Sequence, residues 1–361
     1  MLFYLFLFSI SCLLLFQGQK SSAKWNIWTI LGLFLPTFFS AIRGENVGTD
    51  TPTYLFLYEA SNVLTFEEFL TSNRISVEPF YYFASKIGSY LTGFSTVMFI
   101  YQGLTVFFLY LTAYKFRTHL KIALVFFLYF TFIYPYSLNI TRQVLVMMYL
   151  IWLGTFLIKG HPWIFIIGCV GGIFIHSSIA VGAIIIYWVV LIYKSNSRKH
   201  RILMWISAIG IAGMIILIRK LTPLLELLDI GEMARYGNYV AKAHSYIGKT
   251  DLVIRLLIFA ILVWSYRKKI IDKKFYNAAI VLVAIEVMLI ISGEVTIVIF
   301  RLALYCTCID LMIIPYILQS NRFSRPSRLL AQWLTIGIAL GYWWYTMVLR
   351  GTNETIPYYI M

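Results

Sequence analysis

The run Asn26-Ile27-Trp28-Thr29-Ile30-Leu31-Gly32-Leu33-Phe34-Leu35-Pro36-Thr37-Phe38-Phe39-Ser40-Ala41-Ile42 passes directly into Arg43-Gly44-Glu45-Asn46-Val47-Gly48-Thr49-Asp50-Thr51-Pro52-Thr53-Tyr54. The first part carries no charge and, as a helix, approaches the roughly 17 to 25 residues that cross a bilayer core. The second gathers a cation, two carboxylates, two glycines and a proline. Apolar runs of this kind recur through the chain, so polar segments at the membrane face are the natural place for chemistry.

Of the 361 residues, 60% are apolar and 12% charged, and the mean hydropathy is +0.80, far outside the range of a soluble globular protein. The composition predicts an all-α, polytopic transmembrane helix bundle forming a single domain over 1–361. A net charge of +15 is explained by basic loops on one membrane face rather than by nucleic-acid binding. Cys12, Cys169, Cys306 and Cys308 all lie in apolar runs without histidine or acidic partners at metal-ligand spacing, so neither a disulfide scaffold nor a zinc site is expected. The first sixteen residues lack a basic leader and a small-x-small cleavage pattern, and read as a retained first helix.

Apolar windows give about twelve spans: 2–16, 26–42, 94–113, 122–137, 143–158, 162–175, 177–193, 202–218, 252–266, 275–291, 297–318 and 330–348. With the amino terminus outside, the cytoplasmic loops hold 18 of the 30 Lys and Arg residues and one acid, Asp272, while the opposite face holds 12 of the 15 acids. This segregation fits an even number of spans with both termini outside. The two long polar segments, 43–93 and 219–251, then share the extracytoplasmic face. Within the first, 59–72 reads as an amphipathic helix, and Glu78 to Gly93 as a second helix lying at the interface. The cytoplasmic loops are short and basic, suited to anionic lipid headgroups, and lack a phosphate-binding loop for ATP.

Arg43, Arg142, Arg235 and Arg301 are placed at or near the outer face, against the topological bias, and together suggest an anionic ligand. A guanidinium stays charged and presents a fixed fork of donors that matches phosphate oxygens. The plainer alternative pairs each arginine with Glu45, Asp50, Glu232, Glu286 or Glu294, or with lipid phosphate. Asp50 reads either as the N-cap of a helix beginning at Thr51-Pro52 or as a group that binds or activates a hydroxyl. Tyr54, one turn on, suits sugar contact or interfacial anchoring. His176, between Gly171-Gly172 and Ser177-Ser178, is either a helix-end histidine or a proton-transfer group. Glu286 and Asp310 lie inside apolar spans and keep a proton-coupled carrier in view. A salt bridge from Arg301 could account for Glu286, whereas Asp310 has no evident partner.

Taken in order, Arg43-Gly44-x-x-Val47-Gly48-Thr49-Asp50-Thr51-x-x-Tyr54, Glu78-Pro79-Phe80, Thr141-Arg142-Gln143 and Ile175-His176-Ser177-Ser178 resemble the EpsG-like family of membrane polymerases of exopolysaccharide, capsule and O-antigen repeat units. The resemblance implies a Wzy-type enzyme, similar to integral-membrane glycosyltransferases that use polyprenyl-linked donors, at the outer face of the bacterial cytoplasmic membrane. It implies undecaprenyl-pyrophosphate-linked glycans as substrates, a chain-length regulator and a flippase as pathway partners, and no cofactor or required metal. Under it Asp50, Arg142, His176, Arg235 and Arg301 are the candidate catalytic residues. Arg43, Tyr54, Glu78, Tyr82, Gln143, Tyr236 and Tyr239 are the candidate substrate-binding residues. The main competing reading is a lipid-linked oligosaccharide flippase or polysaccharide exporter; a ligase or acyltransferase of surface glycans is another.

Overall fold

The computed structural model describes residues 1–72, 77–195, 197, 202, 205–206, 210, 248–292, 297–320 and 322–360. In chain order the helices are α1 (Leu2–Lys20), α2 (Ile27–Ala41), α3 (Thr51–Val63), α4 (Phe66–Thr71), α5 (Pro79–Ser89), α6 (Phe94–Lys115), α7 (Ile122–Phe132) and α8 (Tyr134–Ser137). They continue as α9 (Thr141–Ile158), α10 (Pro162–Ile173), α11 (Ile179–Lys194), α12 (Lys249–Arg267), α13 (Lys273–Ser292), α14 (Ile297–Leu318) and α15 (Arg325–Trp343). No β-strand occurs among the described residues; one isolated bridge joins Arg43 to Ile360. The chain divides into two compact units, Met1–Ala183 with Leu311–Met361, and Ile184–Asp310.

Five described helices are long and apolar enough to cross a membrane: α1, α6, α9, α13 over Lys273–Ile291 and α14 over Phe300–Leu318. The windows at 26–42, 122–137, 162–175 and 177–193 become the shorter apolar helices α2, α7, α10 and α11. Those at 252–266 and 330–348 correspond to α12 and α15, which carry charges within or beside their apolar stretches. Most of the 202–218 window, and 219–247 of the second polar segment, lie outside the described residues.

Two sequence expectations change for identifiable reasons. The window 122–137 is not one helix, because Pro135 cannot donate to the preceding turn; α7 stops at Phe132 and α8 forms a separate turn. The helix expected over 59–72 is two helices. Thr65 stops the first by capping the second: its hydroxyl accepts from the Glu68 amide while the Glu68 carboxylate accepts from the Thr65 amide.

The first unit supplies the frame around the Arg43–Tyr54 loop. Asn26 starts α2 by accepting from the Thr29 amide at 3.0 Å. Gly32 lets α2 lie close against α1, since a Cβ there would meet the Leu15 side chain at 2.8 Å. Beyond the loop, Tyr54, Leu57, Phe69, Tyr81, Tyr82, Phe94, Met98, Tyr101 and Leu145 form one buried cluster that joins α3, α4, α5, α6 and α9. The amino-terminal end of α1 lies at the same end of this unit, where the Tyr4 hydroxyl donates to the Thr355 carbonyl at 2.7 Å. Residues 353–360 also reach this end and bond to the Arg43–Asp50 loop.

Candidate active site

The centre of the site is Glu78, the residue immediately before α5. Pro79, at the first helical position, needs no amide partner, and the Phe80 amide donates to the Phe174 carbonyl at 3.0 Å, tying the start of α5 to the turn after α10. That turn carries His176, whose Nδ1 lies 2.5 Å from Glu78 Oε1. The Ser177 amide donates to the same oxygen at 3.0 Å. The other oxygen, Oε2, pairs with the Arg142 guanidinium from the first turn of α9. Residues 64 and 98 positions apart in sequence thus meet on one carboxylate.

Arg142 also lies over the Tyr54 ring, 5.7 Å from its centroid. Tyr54 stacks on Tyr81, and the Tyr81 hydroxyl donates to the Tyr54 carbonyl at 2.5 Å, fixing α3 to α5 below the ion cluster. Burial alone would raise the Glu78 pKa, but the hydrogen bond with His176, the Arg142 charge and the Ser177 amide outweigh it and bring it down to about 2. Glu78 is therefore an ionised anchor across the neutral range and not a proton donor. The side chains of Arg142, Glu78 and His176 keep 17%, 15% and 23% of their surface exposed, so the cluster is partly open.

His176 is held by Glu78 through one ring nitrogen. With Nδ1–H donating to the Glu78 carboxylate, the lone pair is on Nε2, which has no partner among the described residues. The carboxylate orients the imidazole ring. Among the described residues, no three His, Cys, Asp or Glu side chains gather as a metal site.

Tyr54 borders the cluster from the first turn of α3, beneath Arg142, and Asp50 lies within electrostatic reach of Tyr54. Asp50 occupies the N-cap position of α3, with Pro52 in its first turn, but its side chain makes no capping hydrogen bond. Its amide instead donates to Asn139 Oδ1 at 2.7 Å. Gly48 adopts a left-handed φ of +95°, and a Cβ there would meet the Leu138 carbonyl oxygen at 2.7 Å, so both conformation and space require glycine.

Arg43 is fully buried and directed into the protein: its guanidinium donates to the Ser40 carbonyl at 2.9 Å, the Ser40 hydroxyl at 2.8 Å and the Leu138 carbonyl at 3.0 Å. This bonding makes Arg43 a brace between the end of α2 and the segment before α9, in place of the ligand contact expected for it. Tyr82 faces away into Phe66 and Phe69, with its hydroxyl 3.4 Å from the Leu64 carbonyl; its neighbour Tyr81 is the tyrosine beneath the cluster. Gln143 is buried in the first turn of α9. Arg235, Tyr236 and Tyr239 lie outside the described residues.

The second unit contains a different ion pair. Arg255 of α12 lies 2.6 Å from Glu286 of α13, and Thr307 of α14 joins them, accepting from Arg255 and donating to Glu286, each at 2.6 Å. Arg255 and Glu286 are 3% and 0% exposed. The partner of Glu286 is thus Arg255 and not Arg301, which is half-buried in α14. Asp310, one turn beyond Thr307, is buried beside Glu286.

The described structure is that of an all-helical membrane protein with a partly open Arg–Glu–His cluster at the end of one helical unit. The chain belongs to the EpsG family, which it matches over residues 25–360, a family of Wzy-type polymerase-like proteins. That match extends through the second half, where the sequence motifs are sparse, and it indicates a role in membrane polysaccharide biosynthesis. No curated protein and no solved structure matches the chain.

Proposed function

We propose that this chain is an oligosaccharide repeat-unit polymerase that joins undecaprenyl-pyrophosphate-linked units at the outer face of the bacterial cytoplasmic membrane. The observation that carries the reading is the convergence of Glu78, Arg142 and His176, from three separate sequence motifs, on one partly open ion cluster in a member of the EpsG family.

In the proposed reaction, a sugar hydroxyl of the incoming lipid-linked unit attacks the anomeric carbon of the growing glycan. The new C–O bond forms as the bond to pyrophosphate breaks, and the departing pyrophosphate keeps the electron pair. His176 Nε2 takes the hydroxyl proton. Arg142 holds the charge that develops on the leaving group, an electrostatic task suited to its fork of donors. Glu78 orients both residues and remains ionised. Asp50 and Tyr54 line the acceptor side, and Arg235 and Arg301 are proposed as further pyrophosphate contacts.

Purified full-length protein incubated with the lipid-linked repeat unit extracted from its own host is expected to yield a ladder of polymers, and Arg142→Ala to yield little beyond the starting unit. A wild type that makes no ladder from that substrate overturns the polymerase reading. An Arg142→Ala ladder equal to the wild type removes this arginine from the mechanism.

A further inference from the structure

The stretch Gly351-Thr352-Asn353-Glu354, just after the π-helical turn that ends α15, places three residues at positive φ, one of them a glutamate that does not favour it. Gly351, Asn353 and Glu354 have φ values of +61°, +68° and +50°. Asparagine tolerates the left-handed region and glutamate does so poorly, so such a run persists where surrounding bonds hold it. The bonds here run to one place. The Glu354 carbonyl accepts from the Gly48 amide at 3.1 Å, and the Asn353 carbonyl accepts from the Thr49 amide at 3.3 Å.

A side-chain link runs parallel to these backbone bonds. Asn139 is 3% exposed and donates through Nδ2 to Asn353 Oδ1 at 3.2 Å. Its own Oδ1 accepts from the Thr49 hydroxyl at 2.8 Å and from the Asp50 amide at 2.7 Å. Three consecutive residues of the loop, Gly48, Thr49 and Asp50, are therefore fixed by the 353–354 strap and by the segment leading into α9, which carries Arg142 three residues after Asn139.

We propose that Asn353 and Asn139 are positioning residues: the strained strap and the asparagine pair set Asp50 and the start of α3 against Arg142, so that the acceptor side of the site is held in register with the leaving-group side. The role assigned to Asp50 rests on the polymerase reading above, whereas the fixing of the loop can be measured without it.

The experiment combines hydrogen–deuterium exchange across residues 43–54 of the purified full-length protein with polymer length distributions from cells in which each variant replaces the wild-type chain. The expected result is slow exchange in wild type, a rise of about tenfold or more in Asn139→Ala and Asn353→Val, and shorter polymer in both. Asn353→Asp keeps an acceptor oxygen for Asn139 and tolerates positive φ, so it is expected to restore slow exchange and polymer length together. Asn353→Gly, which relieves the backbone but removes the side-chain link, is the second variant should Asn353→Val fail to accumulate; it is expected to show fast exchange and short polymer. Unchanged exchange in Asn139→Ala and Asn353→Gly overturns the strap. Raised exchange with wild-type polymer overturns its positioning role. Absence of polymer from wild type counts against the polymerase reading, and exchange then decides alone whether the strap holds the loop.

Discussion

Arg142–Glu78 in one unit and Arg255–Glu286 in the other are both arginine–glutamate pairs, but they differ in how they are assembled and enclosed. The first joins the start of α5 to the start of α9, shares its carboxylate with a histidine from a third segment, and stays partly open. The second lies between long apolar helices, is completed by a threonine hydroxyl, and is closed to solvent. An enclosed pair has no room for an anionic substrate, and loss of one partner leaves the other's charge uncompensated in an apolar interior. An open pair contributes less to stability and keeps donor groups within reach of a ligand. The contrast makes the first pair the one suited to the proposed chemistry and the second a source of cohesion among three helices.

The largest effect is expected where that cohesion is broken. Arg255→Ala should destabilise the detergent-solubilised protein by about 3–5 kcal/mol, while Arg255→Met combined with Glu286→Leu should recover most of that loss; thermal melting of the three proteins checks it. Next is Arg142→Ala, expected to lower the initial rate of polymer formation by about 10²–10³-fold while Glu78 remains held by His176 and the Ser177 amide. A rate loss of this size together with a melting loss as large as that of Arg255→Ala would erase the distinction between the two pairs.

Acid separates them further. Because the Glu78 pKa is depressed to about 2 in the folded protein, its ionised form adds stability above the ordinary carboxylate range near pH 4.5. That contribution is lost as pH falls from about 4.5 toward 2, up to about 3 kcal/mol in all. Melting measured over this window should therefore lose its pH dependence in part in Glu78→Gln. The smallest effect belongs to Tyr82→Phe, which removes only a long bond to the Leu64 carbonyl and should change stability by less than about 1 kcal/mol with no change in polymer length.

The sequence reading goes far on what is local and less far on what is assembled. Hydropathy identifies helical segments because lipid leaves a backbone few alternatives, and the glycine at 48 and the carboxylate at 78 stand out within short motifs. That Glu78, Arg142 and His176 share one carboxylate is not legible, since it depends on how α5, α9 and the α10–α11 turn pack across 64 and 98 residues. Arg255 goes unread although a signal exists: it is the lone charge inside its apolar run, and the runs that become α13 and α14 each carry an acid. Thr65-x-x-Glu68 likewise encodes the capping box that divides 59–72. Asn139 gives little warning, because its importance lies in the carboxy-terminal segment 214 residues away. Arg43 misleads for the opposite reason: an arginine beside a glycine-rich polar turn suggests an anion, and only packing shows its guanidinium capping backbone carbonyls.

One parallel assay tests the central claim most directly. Glu78→Gln and the Arg255→Met, Glu286→Leu double variant, each compared with wild type on the same lipid-linked repeat unit and scored per folded molecule, remove charge from one pair each. The account predicts about a 100-fold or greater loss of polymer synthesis in Glu78→Gln and near wild-type synthesis in the double variant. Wild-type synthesis by Glu78→Gln, or loss of synthesis in a well-folded double variant, would contradict it.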